Sequence, residues 1–126
     1  MTIAEGDTLP EATFRIMSPK GIDTLSTKDV FGGKKVLLFA VPGAFTPTCH
    51  VKHLPGFIEA ADAFKAKGVD EVVCVAVNDP FVIAAWSEMT GAAGKVTILS
   101  DGNAEFTKKI GMDFDGSGVG LGARSK

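Results

Sequence analysis

The stretch VLLFAVPGAFTPTCH, residues 36–50, decides the fold class of this chain of 126 residues. Its first six residues form a continuous apolar run, and that length suits a β-strand buried on both faces. Pro42 and Pro47 end the strand and mark a loop, and a helical period of apolar residues begins at Thr48. A strand that leads through a loop into a helix is the repeating unit of an α/β fold.

The helix after this loop has a continuous apolar stripe and a predicted interruption. Its stripe consists of Phe57, Ile58, Ala61 and Phe64. Pro55 and Gly56 predict a kink, or a joint between two helical pieces. Gly68 is the predicted end of the helix, because glycine readily takes the left-handed conformation that terminates helices.

The same alternation continues downstream. The predicted elements are a strand over 71–79, a helix over 79–90 with Asp79 as N-cap, a strand over 95–101 and a short helix over 103–112 capped by Asn103. Strands that alternate with helices predict parallel pairing with right-handed crossovers. Open sheets of this kind place their functional sites in the loops that follow the carboxyl ends of the strands. The loop after Val41 is one of these.

The two ends of the chain carry weaker signals. ATFRIM, residues 12–17, alternates as a short edge strand would, and we interpret it as one arm of a hairpin. The tail DFDGSGVGLGARSK, residues 113–126, is rich in glycine and has no clear period. Because no long linker or internal repeat interrupts residues 1–126, the sequence predicts a single domain.

Composition and charge exclude several classes of protein. The formal net charge is −2 and the pI is about 5.6, which argues against a surface for nucleic acid or anionic membranes. No apolar run approaches the roughly 20 residues of a membrane span, and the N-terminus does not resemble a secretory signal. Two cysteines favour a reducing, cytoplasmic compartment. His50 and His53 match no zinc spacing with Cys49, so no metal is expected.

Cys49 lies where a thiol can become reactive. The change from loop to helix places its sulfur in or near the first helical turn, where unpaired backbone N–H groups and the helix dipole stabilise a thiolate. Thr46 can aim its hydroxyl at the same point, as a donor or an acceptor. Cys74, inside an apolar strand, is more simply a small buried hydrophobic residue. The residues alone leave Cys49 open between a reactive thiol and a structural one.

PGAFTPTC at 42–49, followed by HLPGF at 53–57, resembles the active-site segment of peroxiredoxins, and more narrowly of the peroxiredoxin-5 or type II group. The similarity continues through VCVAVNDPFV, LSDGNAEFTK and GLGARS. The resemblance implies a thioredoxin-like α/β fold with a central mixed sheet flanked by helices. It also implies a homodimeric thiol peroxidase, without a cofactor, that reduces hydrogen peroxide and alkyl hydroperoxides by way of a sulfenic acid.

The resemblance assigns roles to residues of the loop. It implies that Cys49 is the peroxidatic cysteine, that Thr46 binds and aligns the peroxide, and that Pro42 shields the sulfur. Phe45 and Phe81 would line the peroxide pocket and a nearby dimer contact. His53 either reaches the pocket or ties the start of the helix to the backbone, and His50 is a surface residue.

Cys74 gains a second interpretation from the resemblance. Some type II members carry a second cysteine on the following strand, which acts as a resolving thiol through an internal disulfide with the peroxidatic cysteine. The other route is direct resolution by glutathione, glutaredoxin or thioredoxin. A buried strand position is unfavourable for the disulfide, because the two Cα atoms must come within about 7 Å. Both routes therefore stay open.

The chain departs from the family at its C-terminal end. The family's arginine partner of the thiolate follows a segment like GLGARSK, and two further strands and a helix follow it, whereas this chain ends at Lys126. We therefore expect a C-terminally incomplete domain, and we do not assign the arginine's role to Arg124. The alternative function is a thioredoxin-like redox-sensing or binding module without efficient turnover. A glutaredoxin-like reductase is disfavoured, because position 46 is threonine and no Cys-x-x-Cys occurs.

Overall fold

The computed structural model describes residues 2–47 and 54–126. The elements in chain order are β1 (Thr13–Ser18), β2 (Gly21–Ser26), α1 (Thr27–Phe31), β3 (Val36–Val41), α2 (Leu54–Ala66), β4 (Glu71–Ala76), α3 (Pro80–Thr90), β5 (Thr97–Ser100), α4 (Glu105–Lys109), β6 (Asp113–Asp115), a 3₁₀ turn (Ser117–Val119) and β7 (Ala123–Ser125). The predicted alternation of strands and helices from β3 to α4 is confirmed.

Five strands form one mixed sheet in the order β2-β1-β5-β4-β3. Strands β3, β4 and β5 are parallel, and Cys74 in the middle strand pairs with Phe39 on one side and Ile98 on the other. Strand β1 is antiparallel to both β2 and β5. The parallel core has the topology that the sequence predicts, and the N-terminal hairpin makes the sheet mixed.

Apolar side chains cover both faces of the sheet. On one face, Cys74 packs in a buried cluster with Trp86 of α3, against which the stripe of α2 also lies. On the other face, Val73 and Val75 pack in a second cluster with Phe14 and Phe106, whose ring centroids lie 5.0 Å apart. Strand β4 is therefore buried on both faces, which explains why its sequence is a continuous apolar run.

The prediction for β3 is confirmed in part, and the one for β1 is wrong. Strand β3 has the predicted bounds and packs on both faces, with Leu37 and Phe39 against one cluster and Val36 and Leu38 against the other, although only Val41 is fully buried. Among the described residues it pairs with β4 alone. ATFRIM forms the predicted hairpin arm, but β1 is an interior strand because it pairs with both β2 and β5. An apolar run in the sequence indicates that the side chains of a strand pack against other elements. It does not indicate whether the strand is paired with neighbouring strands along both of its edges.

Helix α2 runs through Pro55 and Gly56 without interruption. Any joint before Leu54 would lie outside the described residues. The predicted end is confirmed, since Gly68 has φ of 96° and its N–H donates to the Lys65 carbonyl.

One of the two predicted helix caps is confirmed. Asp79 caps α3 by accepting a hydrogen bond from the Val82 N–H at 2.9 Å. Asn103 does not cap α4, because the cap position falls on Ala104 and no side chain caps from there. Asp101, which lies four residues before the start of α4, caps the helix instead. Its buried carboxylate accepts hydrogen bonds from the N–H groups of Phe106 and Thr107.

The structure contains two small elements that the sequence did not predict. Helix α1 begins with a capping box in which Ser26 and Asp29 exchange hydrogen bonds. The bond from the Ser26 N–H is the main cause that lowers the pKa of the Asp29 carboxyl. The glycine-rich tail forms the hairpin β6–β7, which pairs Phe114 with Arg124.

Within residues 2–47 and 54–126, no helix has the length and apolar character needed to cross a membrane.

Candidate active site

The loop that leaves β3 lies at the edge of the sheet where the three parallel strands end. Asn78, just beyond β4, accepts a hydrogen bond from the Ala44 N–H of this loop at 2.8 Å through its side-chain oxygen. Its backbone carbonyl accepts a second one from Ser100 Oγ of β5 at 2.5 Å. Asn78 therefore joins the ends of β4 and β5 to the loop after β3.

Thr46 closes a tight turn within this loop. Its hydroxyl donates to the Gly43 carbonyl at 2.7 Å, and its N–H points to the same oxygen at 3.4 Å. Because the hydroxyl hydrogen is used in this way, the lone pairs of Oγ1 are left to accept a hydrogen bond from a bound molecule. The sequence predicted that the Thr46 hydroxyl is either a donor or an acceptor towards a bound molecule. The structure favours the acceptor role.

Phe45 has a backbone conformation that is unusual for its residue type. Its φ is 64°, in the left-handed region that a bulky side chain rarely enters. The ring is 41% exposed, and its centroid lies 6.4 Å from that of buried Trp86. Strained residues of this kind are concentrated at functional sites, where the surrounding contacts hold them in place.

The C-terminal hairpin reaches the same loop. Arg124 of β7 donates from Nη1 to the Pro42 carbonyl at 3.1 Å, and from Nε to the Leu121 carbonyl at 2.9 Å. Neither Arg124 nor Asn78 was assigned to the site from the sequence. The motif VCVAVNDPFV contains Asn78, and a polar residue directly after a buried parallel strand was a usable signal for it. No local signal connects Arg124 with Pro42.

The predicted site residues are only partly brought together. Pro42, Phe45 and Thr46 share the loop after β3, and Phe81 lies in the first turn of α3 with 63% of its surface exposed. Cys49 and His53 lie outside the described residues, so their placement stays a prediction.

Cys74 is completely buried in the middle of β4. Because its neighbours on both sides are paired strands, a thiol at this position reaches another cysteine only if the sheet or its covering helices open locally. The prediction that Cys74 resolves an oxidised Cys49 stays a prediction, and burial is the obstacle to it.

We expect Asn78→Ala to loosen the loop. The buried Ala44 N–H would lose its partner, which should lower the free energy of unfolding by about 1–3 kcal/mol and speed hydrogen exchange at the Ala44 amide. Urea denaturation and amide exchange measure the two effects. Asn103→Ala is the matched control, because Asn103 is exposed and caps no helix. Equal exchange at Ala44 in both variants would contradict the assignment.

The parallel βαβ core, the N-terminal hairpin and a loop site at the carboxyl ends of the strands define a thioredoxin-like α/β protein. The fold is shared with the solved structure described as reduced Prx3 in complex with H₂O₂ from Vibrio vulnificus. The TM-score is 0.94 and the identity 50%, over 99% of this chain and 78% of that one. Peroxiredoxin 5 from Alvinella pompejana gives a TM-score of 0.88 at 36% identity, over 98% of this chain and 79% of that one.

The sequence comparisons agree with the structural ones. The family described as Redoxin matches residues 4–125. Peroxiredoxin-2B of Arabidopsis thaliana is 46% identical over 98% of this chain and 77% of its own length. The chain is 51% identical to chloroplastic peroxiredoxin-2E-2 of Oryza sativa over 99% of its length, and it spans 58% of that relative. This chain belongs to the Redoxin family and, within it, to the type II peroxiredoxins.

Proposed function

We propose that this chain acts as a thiol-dependent peroxidase that reduces hydrogen peroxide and alkyl hydroperoxides. The observation that carries the proposal is the Pro42–Thr46 turn, in which the Thr46 hydroxyl donates inward at 2.7 Å and so presents its oxygen as an acceptor. A hydroperoxide carries the O–H donor that such an acceptor binds. The solved structure of the similar Vibrio vulnificus protein is described as a complex with H₂O₂, which supports the same substrate class.

In the proposed mechanism the Cys49 thiolate attacks one oxygen of the peroxide bond. The S–O bond forms as the O–O bond breaks, the second oxygen leaves as hydroxide or alkoxide and takes up a proton, and the sulfur becomes a sulfenic acid. Thr46 would orient the peroxide for this attack, and Pro42 would limit access of water to the sulfur. Because a peroxide offers few groups for recognition, its orientation supplies most of the rate enhancement.

Recycling requires two further thiols. In the first step a reductant thiol condenses with the sulfenic acid, which releases water and leaves a mixed disulfide. A second thiol then releases reduced Cys49. We propose glutathione with glutaredoxin, or thioredoxin, as the source. Cys74 would replace the first external thiol only after local opening of β4, since it is fully buried.

The proposal extends to a cytoplasmic homodimer. Two aromatic side chains near the site are exposed, Phe45 by 41% and Phe81 by 63%. Aromatic residues are enriched in the buried cores of protein interfaces, so this surface is the proposed contact with a second copy. The cytoplasmic part of the proposal is supported by the low cysteine content, which suits a reducing environment.

Mass spectrometry after one equivalent of hydrogen peroxide tests the proposed function. The reduced protein should gain one oxygen atom on the peptide that contains Cys49, far faster than free cysteine at equal concentration. A trapping reagent for sulfenic acids should then label that peptide. Oxidation that is no faster than that of free cysteine, or that falls on methionine, would leave the alternative function, a redox-sensing or binding module without efficient turnover.

A further inference from the structure

We propose that Arg124 is a positioning residue for peroxide reduction, because it holds the Pro42–Thr46 loop in its reactive shape. The proposal rests on the proposed function and adds a residue of the C-terminal hairpin to it. The guanidinium bridges two backbone carbonyls, those of Leu121 in its own hairpin and Pro42 in the loop. Because the first contact fixes the side chain, the second one ties the loop to the hairpin.

Gly43 gives this contact its close fit. A Cβ atom at position 43 would lie 2.3 Å from Arg124 Nη1 and 3.1 Å from Thr46 Cγ2. The guanidinium therefore lies directly against the Gly43 backbone, in space that any other residue would fill. Since the φ of Gly43 is not in the left-handed region, a side chain at this position would displace the Arg124 guanidinium and would not strain the backbone.

The contact of Arg124 with the loop affects Thr46 and Phe45, the two loop residues that are predicted to face the peroxide. Arg124 holds the Pro42 carbonyl, and the Thr46 hydroxyl is hydrogen-bonded to the carbonyl of the next residue, Gly43. A shift of the Pro42–Gly43 backbone is therefore expected to move the hydroxyl as well. Phe45 belongs to the same loop, with its ring centroid 6.4 Å from that of Trp86, and it is expected to shift with the loop. Arg124 thus controls where the loop presents its acceptor oxygen, although its own donors go to backbone carbonyls.

The hairpin that carries Arg124 is braced independently of the loop. Strands β6 and β7 pair antiparallel, and the N–H groups of Gly116 and Leu121 donate across the turn to the carbonyls of Gly122 and Gly116. The Asp115 carboxylate accepts from the hydroxyl and the N–H of Ser117, and these bonds lower the pKa of Asp115. These hydrogen bonds hold the hairpin in shape, and its Arg124 side chain extends from it to the loop.

Two variants test this contact from opposite sides. Arg124→Gln removes the guanidinium, while Gly43→Ala keeps the charge and pushes it off the Pro42 carbonyl. Each should lower the rate constant for oxidation of Cys49 by hydrogen peroxide by about 10–100-fold, because small displacements of aligned groups cost this much. The double variant should be no slower than the slower single variant, since both remove one contact. Arg124→Lys, with one donor group, should recover part of the rate.

Three readouts separate positioning from other roles. The pH midpoint for alkylation of Cys49 by iodoacetamide should stay unchanged if Arg124 acts through the backbone carbonyls of Leu121 and Pro42. Emission from Trp86, the only tryptophan, should shift in both variants as Phe45 moves. Arg15→Gln, which changes the one other arginine, should match the parent protein in all measurements. Thermal denaturation confirms that each variant is folded.

Several results would overturn the proposal. A raised alkylation midpoint in Arg124→Gln alone would mean that the charge acts directly on the thiol. Losses that multiply in the double variant would mean that Gly43 and Arg124 act separately, and unchanged rates in folded variants would mean that neither matters. If the parent protein itself reacts slowly with peroxide, the proposed function fails. The contact is then judged by Trp86 emission, and unchanged emission in both variants rejects it.

Discussion

Replacing Cys49 with serine should abolish rapid reduction of hydrogen peroxide, lowering the second-order rate constant by about 10⁴-fold or more, as loss of a covalent nucleophile does in other enzymes. A serine hydroxyl stays protonated at neutral pH and is a poor nucleophile. Its oxygen also cannot be oxidised to an equivalent of sulfenic acid, so the first half of the cycle has no product. Stopped-flow measurement of peroxide consumption by the reduced protein gives the rate directly.

Cys74→Ala is the matched control for the loss of a thiol. Cys74 is fully buried in β4, and the proposed first step does not use it, so the fast oxidation phase should persist in this variant. Only the later phase, in which the sulfenic acid is resolved, should respond if Cys74 forms the internal disulfide. A fast phase that is lost in Cys74→Ala and kept in Cys49→Ser would reverse the assignment of the reactive cysteine.

Features determined by neighbouring residues could be predicted from the sequence. The three parallel strands follow from apolar runs separated by helical periods. The cap at Asp79 and the end at Gly68 follow from side-chain and backbone chemistry within one turn. The cap of α4 was misassigned because Asn103 and Asp101 have similar chemistry. Only the three-dimensional path of the chain, with Ala104 at φ of 58°, selects Asp101.

Features determined by distant pairing could not be predicted in this way. Strand β3 and strand β4 have similar apolar composition, but among the described residues β3 pairs with one strand and β4 with two, and this pairing depends on distant parts of the chain. The contact between Arg124 and Pro42 joins residues 82 positions apart, and the close approach of Arg124 to Gly43 is visible only when both are in place. The loop motif identified Pro42 and Thr46 as candidate site residues. It did not identify the Arg124 guanidinium and the Gly43 carbonyl that hold them in place.

The second large effect should come from Asp101, which lies directly after β5. Its carboxylate is buried, with 1% exposure, and accepts hydrogen bonds from Phe106 N–H at 3.1 Å and from Thr107 N–H and Oγ1 at 2.8 and 2.7 Å. Asp101→Ala would leave these donors buried without a partner. Since each unsatisfied group costs about 1–3 kcal/mol, we expect a loss of roughly 3–4 kcal/mol in the free energy of unfolding.

Urea denaturation of three variants tests this account. Thr107→Val removes only the hydroxyl donor and should cost about 1 kcal/mol, since both backbone donors keep Asp101 as acceptor. Asp62→Ala removes an exposed carboxylate that pairs with Lys95 at 2.8 Å, and the unfolding midpoint should not change measurably, because surface ion pairs contribute little. If Asp101→Ala behaved like Asp62→Ala, water would be satisfying the donors of α4, and Asp101 would not anchor the helix.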